Sequence, residues 1–310
     1  MNQEFEDALL VGIAQTTLDA NSAWNIDSAV PKMTTEQDEY VWLEICKAMR
    51  NFQDDGLVPR IIVFPELSLP HTRLDDFERL VCALNVIALV GIDYTLDSAT
   101  RTAKNQGIIF VPKGFFRDYS SRSCSRILFG KTYPSPKEKS NLQNMKPSWT
   151  FVGDQNVYVM DCAQYGRLGM SICYDFMDLE RALMYRGQIE HLFVLAYNKD
   201  LRMFKSLADS LSRTIFCNVI VCNTGYYGGS VAVSPYFESH RRTLYSHDGS
   251  QLFTTQVVAL PVLKIVQARK GIKSYQMGKK PVQEFKDPPP GICAEECLNL
   301  KHMDASNHLT

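Results

Sequence analysis

A thiol that attacks carbon needs two helpers: a base to take its proton and a donor or cation to hold the charge that develops. In "RLGMSICYDFMDLERA" (Arg167 to Ala182) a strand-like run ends in Cys173. Leu168, Met170 and Ile172 alternate with Gly169, Ser171 and Cys173. A strand sends alternate side chains to opposite faces, so one face is bulky and the other small, with the sulfur at its end. Asp178 is placed to cap a following helix that carries Leu179, Ala182 and Leu183 on its first turns. A thiol at such a junction lies near unpaired backbone N–H groups and a positive helix end, which favour thiolate and can stabilise an oxyanion. Glu66 follows the buried run "IIVF" and Pro65, at the carboxyl end of a strand, where open α/β sheets place ligands. Lys131 lies in "ILFGKTYPSPKEK". Singly, each has a plainer reading: free cysteines are mostly small buried hydrophobes, and glutamates and lysines mostly solvated charges. None of His71, His191, His240, His247, His302 and His308 stands in a protease-like signature, so a Cys–His pair has no support.

The elements that must position these residues alternate. "ALLVGIAQ" reads as a buried strand, and "TEQDEYVWLEICKAMRNF" as a helix with Val41, Ile45, Ala48 and Met49 on one face. "RIIVFPEL", "VIALVGIDY" and "QGIIFVPKG" read as further strands, with "LDDFERLVCALN" as a helix among them. The stretch from Phe115 to Trp149, rich in Ser, Lys, Arg and Pro, reads as a long irregular loop, of the kind that is functional or disordered. "NVYVMDC" and "RLGMSIC" read as a hairpin through "AQYG". A helix (179–186), a strand (192–197), a helix (201–217) and a strand (218–222) follow, then the turn "NTGYYGGS", "VAVSPYF" and "LFTTQVVALPVL". Alternating strands and helices argue for an α/β core layered by helices. Strand signals without a linker place one domain over residues 1–270. The composition changes afterwards, and 271–310, with "DPPPG" and a polar end, read as an extended tail or arm.

Composition narrows the partners. The 310 residues carry 33 Lys+Arg against 34 Asp+Glu, a net charge of −1, which offers no footprint for nucleic acid or an anionic membrane. No apolar run approaches transmembrane length, and the acidic "MNQEFEDALL" is unlike a signal peptide, so a cytoplasmic protein is expected. Nine irregularly spaced cysteines fit reduced thiols better than a disulfide framework. Cys293 and Cys297 could share a helix face, but a second ligand pair is missing and only His302 is near, so no metal site is expected.

"FPE", "GK" and "ICYD" in this order resemble the nitrilase superfamily of carbon–nitrogen hydrolases, with its Glu-Lys-Cys triad. The resemblance spans Leu9 to Val262. "VFPELSLP" is similar to the glutamate motif, "SICYDFMDLERA" to the cysteine motif including Tyr174, Asp175 and Glu180, and "FGKTYPSPKE" more loosely to the lysine motif. "FKSLADSLSRTIFCNVIVCNTGYYGG" resembles the later helix and strand. The resemblance implies a four-layer αββα sandwich, paired into a homodimer or higher homo-oligomer, acting on a small-molecule amide without metal or organic cofactor. It implies Glu66, Lys131 and Cys173 as catalytic, with Glu138 as a second glutamate and Tyr174 and Asn198 as supporting or substrate-binding residues. Relatives often carry Arg four residues after the cysteine and then Phe-Pro; here Met177, Asp178 and Leu179 stand. Two other roles fit the same fold: a slow binding or regulatory module, and a domain of a larger protein such as a bacterial defence reverse transcriptase. The pocket is expected to be shaped by Ser120–Arg126 and by "GYYGGS".

Overall fold

The computed structural model describes residues 4–25, 28–54, 56–117, 119–276 and 282–292. Its strands are β1 (Ala8–Gln15), β2 (Ile61–Val63), β3 (Ile87–Asp97), β4 (Thr102–Pro112), β5 (Cys124–Gly130), β6 (Thr150–Phe151), β7 (Val159–Asp161), β8 (Arg167–Ile172), β9 (His191–Ala196), β10 (Asn218–Asn223), β11 (Ser230–Val233), β12 (Thr243–His247), β13 (Thr254–Pro261), β14 (Tyr275–Gln276) and β15 (Val282–Gln283). The helices are α1 (Ala20–Ala23), α2 (Thr35–Asp54), α3 (Leu74–Leu84), α4 (Pro136–Asn144), α5 (Leu179–Tyr185), α6 (Leu201–Leu211), α7 (Ser239–Arg242) and α8 (Leu263–Arg269). Strands β13-β1-β2-β3-β4-β5 form one sheet, with β6 beside β4, and β12-β11-β10-β9-β8-β7 form the other. Each has a parallel centre, β1-β2-β3 and β8-β9-β10, with antiparallel neighbours outside it.

Alternation along the strands makes the layers. Leu9, Val11, Ile13, Ile61, Val63, Ile87 and Leu89 join Leu168, Met170, Ile172, Leu192, Val194, Val219 and Val221 in one core between the sheets. The intervening Ile62, Ala88 and Val90 face outward, onto Val41, Ile45, Ala48 and Met49 of α2 and Phe77 and Val81 of α3. Phe204, Ala208 and Leu211 put α6 on the second sheet. The result is the expected αββα sandwich. Fully burying one Leu, Ile or Val is worth about 1.5–3 kcal/mol, so both outer layers are held by the same burial that holds the sheets together.

The segment from Phe115 to Trp149 is not an irregular loop, as its composition had suggested. Cys124–Gly130 form an edge strand whose Ser125, Arg126, Ile127 and Leu128 are exposed, and Arg126 pairs with Asp75 and Glu78 of α3. Pro136–Asn144 form a helix whose start is fixed by a capping box: Ser135 Oγ accepts from Glu138 N–H at 3.2 Å, and Glu138 Oε2 accepts from Ser135 N–H at 3.1 Å. The helix expected to run to Cys217 widens into a π-helical turn at Ser212–Phe216. Of residues 271–310, those described include the β14–β15 ribbon and Phe285, which is buried and stacks on Tyr236 at 4.5 Å. Cys293, Cys297 and His302 lie outside the described residues.

Candidate active site

Three strand ends supply the chemistry. Glu66 comes three residues after β2, Lys131 directly after β5, and Cys173 directly after β8. Two are on one sheet and the third is on the other.

The Glu66 turn is shaped by a glycine. The chain from Pro65 to Leu69 runs against Gly91 of β3, with Gly91 N–H on Pro65 O at 3.0 Å and both Ser68 and Leu69 N–H on Gly91 O at 2.8 Å. A Cβ on Gly91 would lie 2.4 Å from Leu67 N and 2.5 Å from Glu66 Cα, so only glycine permits this approach. Leu67 takes a left-handed φ of 54°. Cys173 does the same, at 47°. An αL conformation in a non-glycine residue costs on the order of 1–3 kcal/mol and persists only where the surroundings impose it.

Asp175 imposes it here. Fully buried, its carboxylate accepts from Thr132 N–H at 2.7 Å and Tyr133 N–H at 2.8 Å, so the turn after Cys173 grips the turn after Lys131. Arg181, 5 % exposed, closes the link from the other side, 3.3 Å from Asp175 and donating to Thr132 Oγ1 at 2.6 Å. The backbone of Lys131 is held on both sides as well, its N–H on Asn105 O at 2.9 Å and its O on Asp154 N–H at 3.0 Å.

The side chains meet in a buried cluster. Lys131 Nζ donates to Glu66 Oε1 at 2.8 Å and to Glu138 Oε2 at 2.7 Å. Asn105 Nδ2 bridges the same carboxylates, 2.8 Å from Glu66 Oε1 and 2.7 Å from Glu138 Oε1. The Tyr94 hydroxyl donates to Glu138 Oε1 at 3.0 Å. The Cys173 thiol is close enough to the Glu66 carboxylate and the Lys131 ammonium to feel both charges, and is 3.9 Å from Tyr197 O.

The electrostatics separate the two glutamates. Burial, opposed by Lys131 and reinforced by Glu138, leaves Glu66 raised above the ordinary carboxylate range. Burial pushes Glu138 up too, but Lys131 and the hydrogen bonds from Lys131, Asn105 and Ser135 outweigh it and leave Glu138 lowered. Burial disfavours charge on Lys131, yet Glu66 and Glu138 raise it well above its ordinary value. Glu138 is therefore the standing counter-ion of the ammonium, and Glu66 the carboxylate able to take up and return a proton. Burial, then the charge of Glu66, push the Cys173 thiol well up. This corrects the expectation of a ready thiolate: α5 starts six residues after the sulfur, at Leu179, and the intervening Cys173–Met177 is a 3₁₀ turn. Asp178 does cap α5, accepting from Glu180 N–H at 3.0 Å.

The cluster forms the floor of a cavity of about 940 Å³. Tyr174, Asn198 and Tyr227 line it; Ser120–Arg126 do not, because that stretch lies at the far end of the β5 edge strand. The walls come instead from the chain around α1 and from α4. Asn198 is on the wall rather than in the cluster, its Oδ1 accepting from Asp200 N–H at 2.6 Å. Asn105, Tyr94 and Gly91 were not singled out from the sequence. An asparagine inside the apolar strand "NQGIIFV" was the available signal, since strand interiors disfavour asparagine. Among the described residues one group could offer three metal ligands, Glu78, Cys82 and Cys124, at the opposite end of β5 from Lys131. Both Glu78 oxygens are already taken, by Cys124 N–H at 2.7 Å and by Arg126 Nε at 2.6 Å.

No protein-family profile and no curated protein sequence matches the chain. Solved structures do. A variant of the amidase from Nesterenkonia sp. AN1, carrying the acetamide moiety of fluoroacetamide on its active-site cysteine, aligns over 85 % of this chain and 94 % of its own, at 14 % identity and TM-score 0.59. The NitN amidase from the same source aligns over 85 % and 97 %, at 15 % identity and TM-score 0.58. Saccharomyces cerevisiae Nit3, a member of branch 10 of the nitrilase superfamily, aligns over 86 % and 95 %, at 16 % identity and TM-score 0.57. The chain thus has the fold of these nitrilase-superfamily structures.

Proposed function

We propose that the chain is a carbon–nitrogen hydrolase of amidase type, working on a small-molecule amide through a thioester on Cys173. The observation that carries this reading is the contact of Lys131 Nζ with Glu66 at 2.8 Å beside the Cys173 thiol, all three buried at the floor of one cavity. Glu66 takes the thiol proton as the sulfur attacks the carbonyl carbon. Lys131 and the backbone N–H of Tyr174 hold the oxyanion. Collapse expels the amine or ammonia with the proton from Glu66, and water, deprotonated by Glu66, hydrolyses the thioester and restores the thiol. A raised Glu66 suits both halves, because it must accept and give a proton near neutrality. A nitrile carbon or a carbamoyl carbon presents the same electrophile. The steps need neither metal nor organic cofactor.

We further read the chain as a cytoplasmic homo-oligomer with one folded unit over residues 1–270. Seven described cysteines are free thiols, and no helix among the described residues is long and apolar enough to cross a membrane. Helix α5 leaves Leu179, Leu183 and Met184 exposed, at 76 %, 59 % and 56 %, a face suited to a second copy. The test of the enzyme reading is intact mass spectrometry with small amides. A transient acyl adduct on Cys173, absent in Cys173→Ala and lost in Lys131→Met, is expected. Binding of amides with no adduct and no ammonia would leave a binding module on the same fold.

A further inference from the structure

The cavity is far larger than the amide that its floor can grip. Cavities of a few hundred to about 1,000 Å³ enclose drug-sized molecules, and this one, at about 940 Å³, is at the upper end of that range. What its walls can say to a ligand follows from where their polar atoms point. Trp24, Tyr94, Tyr197 and Tyr227 make one wall, joined edge to face: Trp24 is 6.0 Å from Tyr94 and 6.5 Å from Tyr197, and Tyr197 is 5.6 Å from Tyr227. Three of the four have spent their polar ends on the protein. Trp24 Nε1 donates to buried Asp93 at 2.8 Å, and the Tyr94 hydroxyl donates down to Glu138 at 3.0 Å. The Tyr197 hydroxyl donates to Leu18 O at 2.7 Å and accepts from Ala20 N–H at 2.6 Å. Ring carbon is what remains for the cavity. Leu142, Met177 and Met203 add aliphatic and thioether surface. The charged lining residues lie either in the buried floor cluster or, as Lys137, Lys199 and Asp200, where the cavity is exposed to water.

We infer that the substrate is an amide with a bulky apolar acyl group, a chain of about six carbons or an arylalkyl group, bound with its carbonyl on the floor and its apolar part along the ring wall. This rests on the amidase reading above. The apolar part is assigned to the acyl side because the acyl group stays on sulfur through both halves of the reaction, whereas the amine leaves after the first. A wall that holds the substrate throughout must hold the acyl part.

The experiment measures ammonia release from acetamide, butyramide, hexanamide and 3-phenylpropanamide by the full chain, together with N-butylacetamide followed through its released amine. kcat/KM should rise about fourfold per methylene along the straight-chain amides, the equivalent of ~0.8 kcal/mol per buried CH₂. Met203→Ala removes part of the wall at a position 37 % exposed, where the fold does not depend on it, and should lower the hexanamide-to-acetamide ratio. Rates that are flat or fall from acetamide to hexanamide, or an unchanged ratio in Met203→Ala, overturn the inference while leaving an amidase. Preference for N-butylacetamide over hexanamide overturns the acyl assignment. No turnover of any amide and no adduct on Cys173 overturn the amidase reading, and the inference with it.

Discussion

Gly91→Ala tests whether Glu66 is positioned by its neighbouring strand. The added Cβ would meet Leu67 N at 2.4 Å, Glu66 Cα at 2.5 Å and Glu66 C at 2.7 Å, against an ordinary contact of 3.4 Å or more. All three are backbone atoms, so no rotamer change relieves the clash and the turn must retreat by about 1 Å. Three hydrogen bonds between Gly91 and residues 65–69 resist that movement. Overpacking of this kind costs about 1–3 kcal/mol of stability. A base displaced by about 1 Å costs about a hundredfold in rate, or ~2.7 kcal/mol of barrier. Gly12→Ala is the matched control: its Cβ meets the Phe52 ring at 2.9 Å and Pro59 Cγ at 3.0 Å, on the helical side of β1 and away from Glu66. Urea unfolding and kcat/KM for a turned-over amide are measured on both. The expected result is a comparable fall in midpoint, with activity lost only in Gly91→Ala. The rate of Cys173 alkylation against pH gives a readout that needs no substrate, because it follows the same base. Wild-type activity in Gly91→Ala, or an equal loss in both variants, would refute the argument.

Three further outcomes follow from the charges and the packing. Burial is the main cause that raises Glu66 and the charge of Glu138 adds to it, so in Glu138→Gln the acid limb of the kcat/KM profile should move to lower pH, with lower maximal activity because Lys131 loses its counter-ion; an unmoved limb would separate Glu138 from the base. His191 is buried and held near pKa 4 by desolvation while its unfolded value is about 6.5, so the folded state resists protonation. Its stability is intact above pH 6.5 and falls as pH drops toward 4, by about 3 kcal/mol, a slope that His191→Gln should lack in urea titrations across that window. Limited proteolysis should leave a single core that retains Phe285, because that ring is buried against Tyr236, and two separately stable halves would contradict one domain.

The strands, and the candidate residues at their ends, were legible because they rest on local patterns. Alternation in "RLGMSIC" and the apolar run "IIVF" each mark a strand whose end carries a candidate site residue, and the ordered motifs tied the two together. The stretch containing Lys131 was misread because the composition of the whole segment outweighed two local signals: the apolar run "ILF" marks a strand, and "SPKE" is a capping box with proline at the first helical position. Asn105 and Asp175 could not be assigned roles from sequence, since their partners, Glu66 and Glu138 for one and Thr132 and Tyr133 for the other, are distant along the chain. The thiolate expectation failed for a related reason. A helix start was inferred from Asp178, but its distance from the sulfur depends on a 3₁₀ turn that periodicity does not encode.

That Glu66 and Lys131 hang from one sheet and Cys173 from the other has a consequence for the newly made chain. Neither sheet alone holds a base beside a sulfur. The first sheet closes only when β13 (Thr254–Pro261) returns to lie on β1, after the whole of the second sheet has been synthesised. Until then Glu66 is not held beside the thiol. On the amidase reading proposed above, a half-made or half-denatured chain would carry every residue of the site without the geometry to turn over an amide.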